Sequence, residues 1–166
     1  IENVLNGREG VSIANYNCPG QIVITGEAAA VAEAGTALKE AGARRVLPLK
    51  VSGPFHSPMM RPAGEELAKV FARVSMNPLK IPYVANINAE VITDCGRIEG
   101  LLVDQVSGAV RWQQSVETMI REGVDTFVEI GPGKTLTGFL RKIDKNVKAY
   151  HIGSWEEAVQ VCEELK

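Results

Sequence analysis

Thr126-Phe127-Val128-Glu129-Ile130-Gly131-Pro132-Gly133-Lys134 is the stretch whose reading decides the fold. Five residues rich in β-branched and aromatic side chains run into a Gly-Pro-Gly turn, the signature of a strand that stops abruptly. Leu136, Phe139, Leu140 and Ile143 then recur at helical spacing. Residues 148–152 return as a short strand and 155–165 close as a helix. A helix crossing between two strands requires them to be parallel, so the fold class is α/β.

The same alternation extends upstream. Trp112, Val116, Met119 and Ile120 mark a helix, another precedes it to about residue 107, and 81–86 reads as a buried strand. Leu67, Val70, Phe71 and Val74 form a helix face. Residues 51–62 hold three prolines, Gly53 and His56 without any period, which makes them a loop. Residues 11–17 and 21–25 are strand-like about Cys18-Pro19-Gly20, a hairpin. A helix from about 27 to 41 and a strand over 45–49 complete a β-β-α-β unit. Helices between strands throughout predict a mostly parallel sheet. Residues 1–5 read as a helix tail ending at Asn6-Gly7, and Ile1 stands where a start codon would place Met, so the expectation is a chain that begins inside a longer protein.

The composition excludes several classes. With 166 residues and 45% hydrophobic content the chain is long enough for one ordinary core. Its 18 Lys and Arg against 20 Asp and Glu create no field that would gather nucleic acid or an anionic membrane surface. No apolar run suits a transmembrane helix or signal peptide, so the reading is cytoplasmic. Cys18, Cys95 and Cys162 are odd in number and widely spaced, fitting free thiols and not a disulfide frame or zinc site.

His56, in Gly53-Pro54-Phe55-His56-Ser57-Pro58-Met59-Met60, is the leading candidate for chemistry. It lies on a loop after a strand, where α/β enzymes place catalytic groups, and an imidazole suits a general base for an acyl-transfer nucleophile. The alternative is a histidine that packs in the loop. His151, inside a short strand, reads as structural. No Gly-x-Ser-x-Gly elbow occurs, and Cys18 as a thiol partner of His56 competes with its simpler role in a hairpin turn. Gly131-Pro132-Gly133-Lys134-Thr135 sits where a phosphate loop would, but Val128 occupies the position of the first glycine, which favours a plain strand-to-helix turn with Lys134 in the first helical turn. Arg44, Arg45, Arg61, Arg111, Arg121, Arg141 and Lys142 are scattered and read mostly as solvated surface.

Four segments, in order, resemble the malonyl-CoA:acyl-carrier-protein transacylase family, a relative of the acyltransferase domains of polyketide and fatty-acid synthases. They are residues 15–26 (Asn-Tyr-Asn-Cys-Pro-Gly-Gln-Ile-Val-Ile-Thr-Gly), Val51 to Ser57 about His56, Leu102 to Val106 with Val110-Arg111-Trp112, and Glu129 to Lys134. The resemblance covers nearly the whole chain. It implies that 51–166 is the second half of a hydrolase-like parallel-sheet core and 1–50 the later part of a ferredoxin-like small subdomain. It also implies malonyl transfer from coenzyme A to the phosphopantetheine thiol of acyl carrier protein in fatty acid biosynthesis. That reaction is ping-pong through a serine acyl-enzyme, with no metal or redox cofactor.

By the same resemblance His56 is the base, and Gln105 offers its backbone carbonyl to the other ring nitrogen. Phe55 crowds the carbon between the substrate's carboxyl groups, and Asn17 approaches the cleft. The family's serine elbow, its oxyanion-hole glutamine and its carboxylate-binding arginine would precede Ile1, so the partners implied are malonyl-CoA, acyl carrier protein and an N-terminal half. The chain alone is then expected to be inactive. The competing reading is a non-catalytic domain that binds an acyl chain or carrier protein.

Overall fold

The computed structural model describes residues 1–166, and its architecture is α/β. In chain order the elements are α1 (Glu2–Leu5), β1 (Val11–Cys18), β2 (Gln21–Gly26), α2 (Ala28–Glu40), α3 (Arg61–Phe71), β3 (Tyr83–Val84) and β4 (Val91–Ile92). There follow α4 (Ile98–Ser107), α5 (Trp112–Arg121), β5 (Thr126–Ile130), α6 (Thr135–Ile143), β6 (Lys148–Ile152) and α7 (Trp155–Glu164). Single 3-10 turns, Pro58–Met60 and Cys95–Arg97, lead into α3 and α4.

The β5-α6-β6-α7 stretch forms as its periodicity predicts. β5 and β6 pair in parallel, Thr126 opposite Lys148 through Ile130 opposite Ile152. The turn between β5 and α6 needs glycine, since Gly131 and Gly133 have φ of 137° and 85°. The hairpin also forms, with β1 antiparallel to β2. Its register slips between Ile13 and Asn15 and between Tyr16 and Cys18, leaving Ala14 and Asn17 as unpaired bulge residues. Ala14 and Asn15 turn their pairing to Val110, outside the hairpin, which docks β1 on the segment after α4.

Three expectations are corrected. The strands do not join in one mostly parallel sheet but form three separate pairs, of which only β5–β6 is parallel. The strand over 81–86 shrinks to Tyr83–Val84, and its partner is antiparallel. Residues 45–49 form no strand, and Leu47, Leu49 and Val51 stand 59, 60 and 65% exposed. For residues 45–49 the reason is that a strand exists only by exchanging backbone hydrogen bonds with a neighbour, and this segment has none. Ile81, Ile130 and Trp155 are each more than three-quarters exposed as well.

Two well-packed regions position the site. Ile92 of β4 and Val116 of α5 are fully buried, and the buried Thr118 of α5 donates to the Ala89 carbonyl at 2.9 Å. Helix α3 crosses α4 at Gly64, where an added Cβ would come within 3.1 Å of the Val103 carbonyl. That close approach brings the loop before α3 onto the C-terminal half of α4. No helix is long and apolar enough to cross a membrane.

Candidate active site

The loop before α3 folds back on itself because Ser57, almost wholly buried, donates its hydroxyl to the Pro54 carbonyl at 2.6 Å. Pro58 then opens the 3-10 turn with its fixed φ. Between them His56 takes φ +59°, a left-handed conformation that costs a non-glycine residue about 1–2 kcal/mol. Such a backbone persists only where its surroundings over-determine it. The surroundings are visible: the His56 Nδ1 lies 3.1 Å from the Gln105 carbonyl oxygen.

Why that carbonyl is free follows from helix geometry. The last four carbonyls of a helix have no partner within it. Helix α4 ends at Ser107, the Gly108 amide takes the Asp104 carbonyl at 2.9 Å, and the Gln105 oxygen is left to an outside donor. A carbonyl only accepts, so Nδ1 carries the proton and Nε2 presents a lone pair. A backbone oxygen at a helix terminus thus fills the place a carboxylate holds in a serine-histidine-aspartate triad.

The Gln105 side chain serves this arrangement too. Its Nε2 donates to the Gly108 and Ala109 carbonyls at 2.9 and 3.4 Å, closing the turn after α4 over its own backbone. Space at Gly108 is tight, since an added Cβ would displace Ile87 Cδ1 and lie 3.0 Å from the Asp104 carbonyl oxygen. Replacing Gln105 with alanine keeps the main-chain acceptor but strips the turn of its donor. Stability measured by urea unfolding should fall by about 1–3 kcal/mol, while His56 retains its partner.

The other predicted residues are placed as follows. Phe55 is 48% exposed beside His56, its ring against Gly53. Asn17 occupies the second bulge of β1, and no hydrogen bond joins it to His56, Phe55 or Gln105. Cys18 is 1% exposed, with its Sγ 3.9 Å from Gln21 Oε1, and no contact links it to His56. Two clefts of about 510 and 490 Å³ lie beside α6 and beside α1, and neither is lined by His56. No three His, Cys, Asp or Glu side chains come together as a metal site would require.

At the glycine turn the structure shows what the motif does. The Glu129 carboxylate accepts from the Leu136 and Thr137 amides at 3.0 and 2.7 Å, capping α6 from the strand that precedes it. His151 donates Nε2–H to the Gly131 carbonyl at 2.9 Å and turns Nδ1 toward Glu157. Lys134 lies just before the helix, not in its first turn. Burial acts to raise the Glu129 pKa, but the bonds from Thr137 and Leu136 and the nearby His151 outweigh it and hold the group below its ordinary value. A depressed carboxylate stabilises the fold fully above its unfolded value and loses that contribution as pH falls through the folded one. Glu129→Gln should therefore show a shallower loss of stability on acidification than the parent, read by thermal unfolding at a series of acid pH values.

The acyl transferase domain family matches residues 1–161. The chain belongs to that family. This acyltransferase chain is 42% identical over 156 residues to the malonyl CoA-acyl carrier protein transacylase of Bacillus subtilis, an alignment that takes in 94% of the chain and 49% of the relative. The chain thus spans about half the length of the curated relatives it matches. Among solved structures, the acyl-carrier-protein S-malonyltransferase of Bartonella henselae superposes with a TM-score of 0.93 at 41% identity, over 99% of this chain and 53% of that one. The MCAT of Streptococcus pneumoniae gives 0.90 at 42% identity, over 98% and 53%.

Sequence reasoning missed Ser57, Tyr16 and the turn about Ala89, and it left Arg111 among the solvated cations. Arg111 instead lies over the Tyr16 ring, 5.6 Å from its centroid. A positive φ at Ala89, +59°, was equally illegible, since alanine carries no signal for it.

Proposed function

We propose that this chain supplies the general base and the substrate-facing wall of a malonyl-CoA:acyl-carrier-protein transacylase whose nucleophilic serine lies outside these 166 residues. The observation that carries the reading is the His56 Nδ1 to Gln105 carbonyl bond, which leaves Nε2 as the proton acceptor. The malonyl CoA-acyl carrier protein transacylases that the chain resembles, and a malonyl-transacylase solved with its type II polyketide acyl-carrier protein at 37% identity and a TM-score of 0.91, indicate the substrates.

In this reading His56 Nε2 takes the serine proton as the hydroxyl attacks the malonyl thioester. The tetrahedral adduct expels the coenzyme A thiol, which receives that proton from the imidazolium. His56 next deprotonates the phosphopantetheine thiol of acyl carrier protein, which attacks the acyl-serine, and the imidazolium returns the proton to the serine. No metal or redox cofactor takes part. Phe55 bounds the acyl pocket, and Asn17 approaches it from a small subdomain formed by residues 1–50, with 51–166 in the larger core. The setting is the cytoplasm.

The uncovered apolar residues beside the base, Val51, Phe55 and Met59, fit a cleft closed by other parts of the fold. Incubating the 166-residue chain with radiolabelled malonyl-CoA is the direct test. The expected result is no labelled protein, and label on a serine once the other half of the fold is supplied. Stoichiometric labelling of this chain alone would overturn the assignment of the nucleophile. A second half that restores the fold without labelling would leave a domain that binds and does not react.

A further inference from the structure

We propose that Tyr16 and Arg111 are positioning residues for the base. Stacked across the junction between β1 and the segment after α4, they hold in place the carbonyl that aligns His56. The inference rests on the acyl-transfer reading of His56.

The path is continuous. His56 Nδ1 meets the Gln105 carbonyl at 3.1 Å, and the Gln105 side chain meets the Gly108 and Ala109 carbonyls at 2.9 and 3.4 Å. The next residue, Val110, is gripped on both sides by β1. Its amide donates to the Ala14 carbonyl at 2.7 Å, and its carbonyl accepts from the Tyr16 amide at 2.8 Å. Arg111 follows, its amide donating to the Asn86 carbonyl and its own carbonyl accepting from the buried Ser115 hydroxyl, both at 2.8 Å. With its backbone so pinned, the Arg111 guanidinium lies over Tyr16. No carboxylate pairs with it. The Tyr16 hydroxyl donates to Glu2 Oε1 at 2.7 Å, which fixes the far edge of the ring.

Each end of this path is a place where the backbone departs from its easy conformation. His56 is held at positive φ, and β1 is bulged at Ala14 and Asn17. The Ala14 bulge frees the carbonyl that Val110 uses, and the Asn17 bulge adjoins Tyr16, so both exist where the strand serves the junction. Burial, the bond to Glu2 and its negative charge raise the Tyr16 pKa, with Arg111 opposing, so the phenol keeps the proton it donates to Glu2. A cation over an aromatic face attracts without a carboxylate to compete for it. Two bulges, a strained base and an unpaired arginine on one connected path are what a register between hairpin and base requires.

The test uses the complete transacylase labelled with 15N-histidine. In the parent, the hydrogen-bonded Nδ1 proton of His56 should give a protected resonance. Arg111→Ala and Tyr16→Ala should each weaken or abolish it and lower kcat by roughly 3- to 30-fold with KM for malonyl-CoA little changed. The double variant should be no worse than either single one, because both break one path. Tyr16→Phe, which keeps the ring, and Arg111→Lys, which keeps a cation, should recover most of the signal. If the alanine variants do not fold, Arg111→Gln repeats the test at similar side-chain length without charge. An unchanged His56 resonance in the Arg111 variants, or additive losses in the double variant, would overturn the proposal. A lost resonance with normal turnover would support the positioning role and instead defeat the reading of His56 as the base.

Discussion

If the complete protein is the transacylase proposed above, His56→Ala is expected to lower turnover by roughly a hundredfold to ten-thousandfold while malonyl-CoA still binds. In the proposed mechanism the variant removes the proton acceptor, so binding and chemistry should separate. Isothermal titration and single-turnover acylation of the same preparations measure the two effects. Normal acylation in this variant would end the assignment of His56. The backbone adds a second outcome specific to this site. At φ +59° alanine keeps the steric penalty that histidine bears, and glycine does not. His56→Gly should thus be as inactive as His56→Ala yet more stable than it by about 1 kcal/mol, read by urea unfolding. Equal stability would mean that the loop relaxes once the imidazole is gone, and that the bond to Gln105 creates the strained conformation.

The second large effect is on acyl-group choice. Phe55 precedes His56 in the chain, with nearly half its surface uncovered and its ring against Gly53. In the proposed reading, Phe55→Ser opens the space beside the substrate's central carbon. One methyl group in an apolar pocket is worth about 1–3 kcal/mol, so the methylmalonyl to malonyl ratio of kcat/KM should rise within roughly ten- to two-hundredfold. The measurement is that ratio for both thioesters in parent and variant. An unchanged ratio removes Phe55 from the pocket.

The relation between sequence and site is uneven for a physical reason. Only histidine carries an imidazole, so His56 was visible in the chain as the candidate base. Its partner is a backbone oxygen, which every residue owns, and only the end of α4 makes the oxygen of Gln105 available. Gln105 was reached through resemblance and not through its side chain. Ser57 and Arg111 were passed over because hydroxyls and cations are common on surfaces, and it is their acceptor or ring partner that gives them a role.

The sequence by itself determined the local elements. Periodicity marked α2, α5, α6 and α7 and the parallel strands β5 and β6, and glycine and proline marked the turns, because these choices are made by residues near one another in the chain. Tertiary structure alone decided the rest. Residues 45–49 have the pattern of a strand but form none, since pairing needs a neighbour that local pattern cannot supply. The bulges of β1, the left-handed turn at His56 and the junction of Val110 with the hairpin likewise arise from contacts between distant residues. Hydrogen bonds and stacking that close over long sequence separations hold the backbone where its own preferences would not.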